Sequence, residues 1–237
     1  MASTQAEEDF GLSSGDEADC IALVESFTSN GTNKRRASSI DPPAAKRLAL
    51  DPELSALAVN ILTQNFQMKA FRLMQERAIV RLLEGGSAAV VFPTGGGKSL
   101  CFQIPALLFS ELDKIKATRH AVDGGITLVV SPLIALMKDQ VDALVRRGIK
   151  AATLDSTKSR EEYLHTCDML RNGELKLLYC APERLNNEGF VEQMKHVRGG
   201  VRLLAVDEAH CISEWGHAFR PDYLSTLSHR MRDASPR

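Results

Sequence analysis

The chain has 237 residues, a formal net charge of −1 and a hydrophobic fraction of 44%, values that fit one large globular domain with tails. No apolar run reaches the roughly 18 residues that a membrane-spanning helix needs, which excludes an integral membrane protein. The five cysteines are scattered without a Cys-x-x-Cys pair, which indicates reduced thiols in an intracellular compartment and excludes a zinc site. The nearly balanced charge excludes a polybasic protein but still allows a local basic groove for nucleic acid.

Residues 1–50 are rich in Ser, Asp, Glu, Asn and Ala and show little hydrophobic periodicity, so the sequence predicts a disordered N-terminal tail. Within this tail, the basic groups Lys34–Arg36 and Lys46–Arg47 flank a stretch that contains Pro42 and Pro43. This spacing is typical of a bipartite nuclear-import signal, which predicts a nuclear location. A solvated basic linker would have the same composition.

From residue 51 onward the sequence predicts one α/β domain, residues 51–237. Asp51 ahead of Pro52 has the chemistry of a helix start, with a side-chain cap and proline in the first turn. Hydrophobic spacing predicts helices at Leu54–Leu62 and Gln75–Leu83 and then at roughly 98–109, 134–147, 158–171 and 189–197. Short apolar runs predict buried strands at Ala88–Phe92, Thr127–Val130, Lys176–Cys180 and Val201–Val206. This alternation predicts a doubly wound parallel sheet with flanking helices, in which ligands bind at the carboxyl ends of the strands.

The first predicted strand runs into the glycine-rich segment Thr94-Gly95-Gly96-Gly97-Lys98-Ser99, directly ahead of a helix. Glycines let the backbone curl so that its N–H groups face phosphate oxygens, and the helix N-terminus adds the positive end of its dipole. In such a loop Lys98 reaches the β- and γ-phosphates and the Ser99 hydroxyl binds Mg²⁺. Phe92 stands where the strict motif has its first glycine, a variant that resembles the phosphate loop of helicases. The plain alternative is a glycine turn between a strand and a helix.

An acidic pair follows the last predicted strand. Val201–Val206 leads directly into Asp207, Glu208, Ala209 and His210. Asp207 is suited to hold the Mg²⁺ shell, and Glu208 to orient and deprotonate the water that attacks the γ-phosphate. The plain alternative is an acidic turn at a strand end. Because this turn and the phosphate loop both follow buried strands, we expect Lys98, Ser99, Asp207 and Glu208 to meet around one magnesium-bound triphosphate.

Three more segments accompany these motifs: Phe71–Gln75, Ser131–Gln140 and the run Cys211–Tyr223 after the acidic pair. With them the sequence, from about Leu54 to about Arg230, resembles the RecQ family of ATP-dependent DNA helicases in superfamily 2. The aromatic-rich run is the most specific of the markers. The resemblance implies a RecA-like P-loop NTPase lobe, ATP and Mg²⁺ as cofactors, and single-stranded or forked DNA as the partner. It also implies 3′-to-5′ unwinding, and a part in DNA repair and recombination, for a complete helicase.

The resemblance assigns contacts with the base to residues ahead of the phosphate loop. Gln75 carries a donor and an acceptor that match N6 and N7 of adenine, and in the family this glutamine selects ATP. In the family Arg72 lies against the base, and Met68 stands where an aromatic residue normally stacks, although a thioether can also cover the ring. Without Phe71 and Arg72 before it, Gln75 would be interpreted as a surface residue. The expected ATP contacts are therefore Met68, Arg72, Gln75, Thr94, Gly95, Gly96, Gly97, Lys98 and Ser99.

The resemblance also assigns contacts with DNA. Ser131, at a strand end, is expected to touch the DNA backbone, and an ordinary helix cap is the alternative. In the aromatic-rich loop, rings can stack on unpaired bases while arginine attracts phosphate. In the family this loop couples DNA binding to ATP hydrolysis through a histidine, whereas the plain alternative places the single tryptophan in the core. The residues expected to bind DNA or to couple it to hydrolysis here are His210, Trp215, His217, Phe219 and Arg220.

In the family the ATP site is completed by a second RecA-like lobe that supplies an arginine finger. By this resemblance we expect the chain to be an N-terminal fragment that covers most of the first lobe and is incomplete at its C-terminus. We expect the strand with the family's Ser/Thr-Ala-Thr motif to be absent, which predicts a gap in the sheet between Ala88–Phe92 and Val201–Val206. We expect the chain by itself to hydrolyse little ATP, since an arginine finger contributes roughly 10³–10⁵ in rate. Two other interpretations stay open: a non-catalytic nucleotide-dependent module that binds DNA or a partner, and an RNA helicase, against which Cys211–Tyr223 speaks.

Overall fold

The computed structural model of the chain describes residues 50–116, 124–155 and 157–209. Helices and strands alternate through most of this range, as the sequence predicts. The helices are α1 (Pro52–Phe66), α2 (Gln75–Leu83), α3 (Leu100–Lys116), α4 (Ile134–Arg146), α5 (Arg160–Arg171) and α6 (Glu188–Lys195), with a short 3₁₀ helix at Pro182–Asn186. The strands are β1 (Ile126–Val130), β2 (Ala151–Leu154), β3 (Leu177–Cys180) and β4 (Val201–Val206). The predicted tail and its basic groups, apart from Leu50, lie outside the described residues.

The four strands form one parallel sheet in the order β2-β3-β1-β4. In its central register, Val129 of β1 lies between Tyr179 of β3 and Ala205 of β4. Every residue of β1 and β3 is buried, as expected for continuous apolar runs that are covered on both faces. The predicted α/β fold with a parallel sheet is therefore confirmed.

Helices cover both faces of this sheet. Leu128 packs in a cluster with Leu170 of α5 and Phe190 of α6. The next residue, Val129, belongs to a different cluster that contains Phe102 of α3 and Met137 of α4. Successive side chains of a strand point to opposite faces, so this alternation places α5 and α6 on one side and α3 and α4 on the other.

The N-terminal helices form a third apolar cluster, in which α1 and α2 pack against α3. At the start of α1, Asp51 Oδ1 accepts hydrogen bonds from the backbone N–H groups of Glu53 (2.9 Å) and Leu54 (3.2 Å), and Pro52 follows in the first turn. The predicted helix cap is confirmed. Because α1 and α2 hold α3 from outside the sheet, they fix the helix that begins directly after the phosphate loop.

The predicted strand at Ala88–Phe92 is wrong, because these residues form no strand in the structure. A strand requires a neighbouring strand for its N–H and C=O groups, and none of the four strands in the described part of the chain takes this segment into its sheet. Val91 is accordingly 63% exposed. Among the same residues β4 pairs only with β1, and all six residues of β4 are half-buried. Both observations are in keeping with the expected gap between the phosphate-loop segment and β4.

The structure also contains a strand that the sequence did not predict. Ala151–Leu154 pairs with β3 at the edge of the sheet. Its composition, Ala-Ala-Thr-Leu, offers no bulky apolar run from which a buried strand could be predicted. Within the described ranges, no helix is long and apolar enough to cross a bilayer.

Candidate nucleotide-binding site

The glycine-rich segment forms a tight loop directly ahead of α3. Gly95 and Gly97 adopt left-handed φ angles of 80° and 72°, which L residues with side chains rarely adopt. Gly96 N donates to Pro93 O at 3.0 Å, and a Cβ at Gly96 would lie 2.9 Å from Phe92 Cβ. The loop thus needs glycine at these positions both for its curl and for lack of space.

Lys98 lies against the loop that precedes it. Its Nζ donates to the carbonyl oxygens of Phe92 at 3.1 Å and Pro93 at 3.4 Å. Ser99 comes next, half-buried, and its carbonyl accepts from Gln103 N at 3.0 Å in the first turn of α3. The ammonium group and the hydroxyl group therefore both lie where the loop meets the helix N-terminus, an arrangement that suits a phosphate and its cation.

Gln75 is buried, with 1% of its surface exposed, so the interpretation as a surface residue is wrong. Its Oε1 accepts from Arg72 N at 2.9 Å, and its Nε2 donates to the carbonyls of Gly96 and Gly97, each at 3.1 Å. Both amide hydrogens of Gln75 are thus used by the phosphate loop. Pairing with adenine would require this amide to exchange at least one of its partners.

The other residues expected near the base lie around Gln75. Met68 is half-buried against the cluster formed by α1, α2 and α3, whereas Arg72 and Thr94 are exposed. Leu73 has a left-handed φ of 51°, and its Cδ1 lies within 3.3 Å of the position that a Cβ on Gly96 would take. The segment ahead of α2 is thus folded against the phosphate loop, and its contacts with a nucleotide stay predictions.

The acidic pair terminates β4. Asp207 N donates to Val130 O at 2.8 Å, which extends the pairing with β1 by one bond, and Asp207 is only 8% exposed. Its Oδ2 accepts from Gln140 Nε2 at 3.1 Å and its Oδ1 accepts from Glu208 N at 3.1 Å. The chain then turns at Glu208, whose φ of 49° is left-handed.

Two opposing effects act on the Asp207 carboxyl group. Burial, the largest effect, and the neighbouring charge of Glu208 raise its pKa, whereas the hydrogen bonds from Gln140 and Glu208 N and the positive charge of Lys98 lower it; the net shift of the pKa is upward.

Hydrogen bonds connect the helix that follows the phosphate loop with the end of β4: Gln103, in the first turn of α3, is joined through Tyr179 and Gln140 to Asp207. That the phosphate loop and the acidic pair meet around one triphosphate stays a prediction.

A divalent cation at this place would need ligands beyond protein carboxylates. In the described ranges, no group of three or more His, Cys, Asp or Glu side chains is arranged to hold a metal ion. Mg²⁺ commonly binds through one or two protein oxygens, with water and substrate phosphates completing its shell. The Asp207 carboxylate and the Ser99 hydroxyl are hard oxygen donors of that kind, so the residues present fit a magnesium–phosphate complex.

Ser131 follows β1 at the carboxyl end of the strand, as Asp207 follows β4. Its N–H donates to Cys180 O at 3.1 Å, its surface is 1% exposed, and its Oγ has no hydrogen-bond partner among the described residues. The N-cap of α4 is Leu133, so the alternative interpretation of Ser131 as a helix cap is wrong. The DNA-backbone contact stays a prediction, and a phosphate would have to reach a buried hydroxyl.

The remaining residues expected to bind or sense DNA are His210, Trp215, His217, Phe219 and Arg220. All five lie outside the described residues. Their roles stay predictions.

Sequence reasoning missed a line of polar side chains that leads to Asp207. Gln103 Nε2 donates to the hydroxyl of Tyr179 at 3.3 Å, and that hydroxyl donates to Gln140 Oε1 at 3.1 Å. Gln140 in turn binds Asp207. The only signal in the sequence was the position of Gln140 at the end of the segment Ser131–Gln140, because the other two residues come from separate elements.

Comparisons with known proteins agree with this geometry. Residues 72–235 match the DEAD/DEAH box helicase family, a range that contains both the phosphate loop and the acidic pair. The ATP-dependent DNA helicase RecQ of Haemophilus influenzae is 42% identical over 184 residues, which cover 78% of this chain and 26% of that protein. RecQ of Bacillus subtilis is 45% identical over 167 residues, or 70% of this chain and 26% of that protein. The helicase SGS1 of Saccharomyces cerevisiae is 40% identical over 168 residues, or 68% of this chain and 11% of that protein.

These matches confirm the resemblance to RecQ helicases that the sequence motifs indicate. The chain spans about a quarter of the length of the two bacterial relatives.

Proposed function

Because the chain belongs to the DEAD/DEAH box helicase family, we propose that residues 51–237 form the ATP-binding lobe of a RecQ-like DNA helicase. The observation that supports this proposal is a glycine loop at the start of α3, whose first turn carries Gln103, together with the hydrogen-bonded line that leads from Gln103 to Asp207 at the end of β4. The relatives named above are DNA helicases, which supports DNA rather than RNA as the nucleic acid. Duplex unwinding in the 3′-to-5′ direction is proposed for a complete helicase of this type.

In this proposal the phosphate loop holds ATP by its triphosphate. The N–H groups of Gly95, Gly96 and Gly97 face the phosphate oxygens, and Lys98 exchanges the carbonyls of Phe92 and Pro93 for anionic oxygens. That exchange is favourable, since hydrogen bonds to charged acceptors are about twice as strong as those to neutral ones. Met68, Arg72, Gln75 and Thr94 complete the nucleotide contacts.

The proposed magnesium ion is held by Ser99 and Asp207. When bound, it neutralises charge on the β- and γ-phosphates. Glu208, which follows Asp207 at the turn, orients the attacking water and accepts its proton. The hydrogen bond from Gln140 keeps the Asp207 carboxylate at the edge of the site.

DNA is the proposed second ligand, as a single strand or a fork. The proposed contacts are Ser131 on the backbone and His210, Trp215, His217, Phe219 and Arg220 in the following loop. Stacking of rings on unpaired bases stabilises such complexes by roughly 1–3 kcal/mol per base. Participation in DNA repair and recombination, and a nuclear location through residues 34–47, are proposed on the same basis.

A nucleotide-binding assay tests the proposal. The 237-residue chain is titrated with a fluorescent ATP analogue in the presence of Mg²⁺. The same titration is then repeated on the variants Lys98→Ala and Asp207→Asn. We expect both variants to lose at least about tenfold in affinity, the effect of one charge-assisted contact. Lys195→Ala, which removes an exposed ammonium paired with Glu192 on α6, is the matched control and should bind normally. Normal binding by Lys98→Ala would contradict the proposal.

A measurement of ATP hydrolysis distinguishes a lobe that is part of a helicase from a non-catalytic binding module. We expect slow ATP turnover by the chain alone, and a rise when a second lobe with its arginine finger is joined to it. Stimulation by single-stranded DNA but not by RNA of the same length is the further expected result. Nucleotide-dependent DNA binding with no turnover in the completed protein would favour the binding module.

A further inference from the structure

Three polar side chains from three different elements form a hydrogen-bonded line that ends on the Asp207 carboxylate. Gln103 comes from α3, Tyr179 from β3 and Gln140 from α4. The joined atoms are Gln103 Nε2 to Tyr179 Oη (3.3 Å), Tyr179 Oη to Gln140 Oε1 (3.1 Å) and Gln140 Nε2 to Asp207 Oδ2 (3.1 Å). Tyr179 is fully buried and Gln103 is 7% exposed, so the line runs through the interior.

The direction of every hydrogen bond in this line follows from its two ends. The Asp207 carboxylate only accepts, so Gln140 must turn its NH₂ group toward it and its oxygen toward Tyr179. Burial raises the pKa of the Tyr179 hydroxyl, which keeps its proton and donates it to that oxygen. The lone pairs of Tyr179 then accept from Gln103. Gln140 and Tyr179 each have one orientation that satisfies both of their partners in the line, which holds the Gln140 amide in a single orientation.

Asp207 is anchored at both carboxylate oxygens. Oδ1 accepts from Glu208 N within the turn itself, whereas Oδ2 accepts from Gln140 on a separate helix. The bond from Gln140 is thus the one that ties the rotation of the carboxylate to the rest of the domain. A carboxylate held in this way presents its remaining lone pairs in a fixed direction, which favours a cation with strict ligand geometry such as Mg²⁺.

We propose that Gln140 is the positioning residue for the Asp207 carboxylate and that Tyr179 sets the orientation of Gln140. This inference rests on the proposed function, because it assigns to Asp207 the cation of a magnesium–nucleotide complex. Neither Gln140 nor Tyr179 touches the nucleotide in this scheme. They act by keeping one oxygen donor of the cation in place.

The test separates the cation from the nucleotide. A fluorescent ATP analogue is titrated onto the chain with Mg²⁺ and again with EDTA, and the ratio of the two affinities measures the contribution of the cation. We expect Gln140→Met to lower this ratio by about tenfold, as for one hydrogen bond to a charged group, while the affinity in EDTA stays the same. Tyr179→Phe should lower it less but in the same direction.

Gln193→Met is the matched control, since Gln193 is another half-buried glutamine whose amide accepts a hydrogen bond, here from Cys167 Sγ. It should leave the ratio unchanged. Circular dichroism checks that each variant folds. If Gln140→Met does not fold, Tyr179→Phe still tests the inference, because it keeps the ring that packs edge-on against Phe102.

Two results would overturn the inference. One is an unchanged ratio in Tyr179→Phe and Gln140→Met. The other is an equal loss of affinity with and without Mg²⁺, which would mean that the line supports only the fold. If the unaltered chain shows no gain from Mg²⁺ at all, the proposed function fails first.

Discussion

Gln75 is in direct contact with Gly97. Its Nε2 donates to the Gly97 carbonyl at 3.1 Å, and a Cβ added to Gly97 would overlap that same nitrogen atom. The relationship joins α2 to the phosphate loop through one side chain. It makes the shape of the loop depend on a residue well separated from it in sequence.

We predict that Gly97→Ala displaces Gln75 and weakens ATP binding. Gly148→Ala is a close control, because Gly148 has nearly the same left-handed φ (74° against 72°) but no atom within 4 Å of the added Cβ. Both substitutions should cost about 1–2 kcal/mol of stability through backbone strain. Only Gly97→Ala should lose nucleotide affinity, by at least tenfold, in the same titration. Equal affinities in the two variants would contradict the role of this contact.

A second prediction concerns the ion pair between α3 and β4. Arg202 donates from both terminal nitrogens to Asp113, at 2.5 and 3.1 Å, and Asp113 is 3% exposed. The Arg202 guanidinium also lies over the Phe109 ring, 4.9 Å from its centre. We expect Asp113→Ala to lower the free energy of unfolding by about 3 kcal/mol, since it leaves a guanidinium without its buried partner. Urea denaturation measures the change.

The exposed pair of Lys195 and Glu192 gives the contrast. Lys195→Met should change the free energy of unfolding by less than about 0.5 kcal/mol, as for other solvent-exposed pairs. If Asp113→Ala and Lys195→Met changed the free energy of unfolding equally, burial would not explain the stabilising effect of the pair formed by Asp113 and Arg202.

A third prediction concerns pH. Asp155, fully buried at the end of β2, accepts from Thr157 N at 2.8 Å. Burial raises the pKa of its carboxyl group, but the hydrogen bonds from Thr157 and the charge of Lys138 lower it, and the pKa lies below the usual 3.8. Because the folded pKa is depressed, the stabilisation is present above pH 3.8 and is lost as pH falls through the folded value. The stability difference between the chain and Asp155→Asn should shrink in that acidic window alone.

The measurement is urea denaturation of both proteins from pH 7 down to the lowest pH at which the chain stays folded. A difference that is constant over this range would show that the Asp155 carboxylate carries no stabilising charge.

A fourth prediction concerns the unpaired edge of the sheet. β1 has neighbours on both sides, so all its amides from Thr127 to Val130 should exchange slowly with solvent deuterium. In a parallel strand, alternate N–H groups point to opposite sides, so about half of the β4 amides lack a partner among the described residues. We expect those amides to exchange at least about a hundredfold faster than the rest of β4, as measured by NMR. Uniform protection along β4 would mean that another strand covers this edge.

Much of the fold could be predicted because its signals are local. The continuous apolar runs of β1, β3 and β4 and the Asp51-Pro52 helix start depend on neighbours within a few residues. The strand Ala151–Leu154 could not be predicted, because small residues can pack at a sheet edge without forming a run of bulky apolar residues in the sequence. Ala88–Phe92 has the composition of a strand but forms none, since strand formation depends on a neighbour rather than on composition.

The candidate site likewise has a part that the sequence predicts and a part that it does not. The phosphate loop and the acidic pair are contiguous motifs, so their chemistry could be predicted residue by residue. The burial of Gln75 and its bonds to the loop could not, because they depend on how α2 docks on α3. The line from Gln103 to Asp207 draws on three elements that meet only in the folded chain.

By itself, the sequence determined the class of fold and the family and predicted the chemistry at each end of the site, because glycine turns, acidic turns and hydrophobic periods act over a few residues. The tertiary structure alone decided which side chains hold those groups in place and which strand edges lack a neighbour among the described residues. The physical reason is that a buried hydrogen bond or a strand pairing is satisfied only by a partner at the right distance, and folding brings that partner from a remote part of the chain.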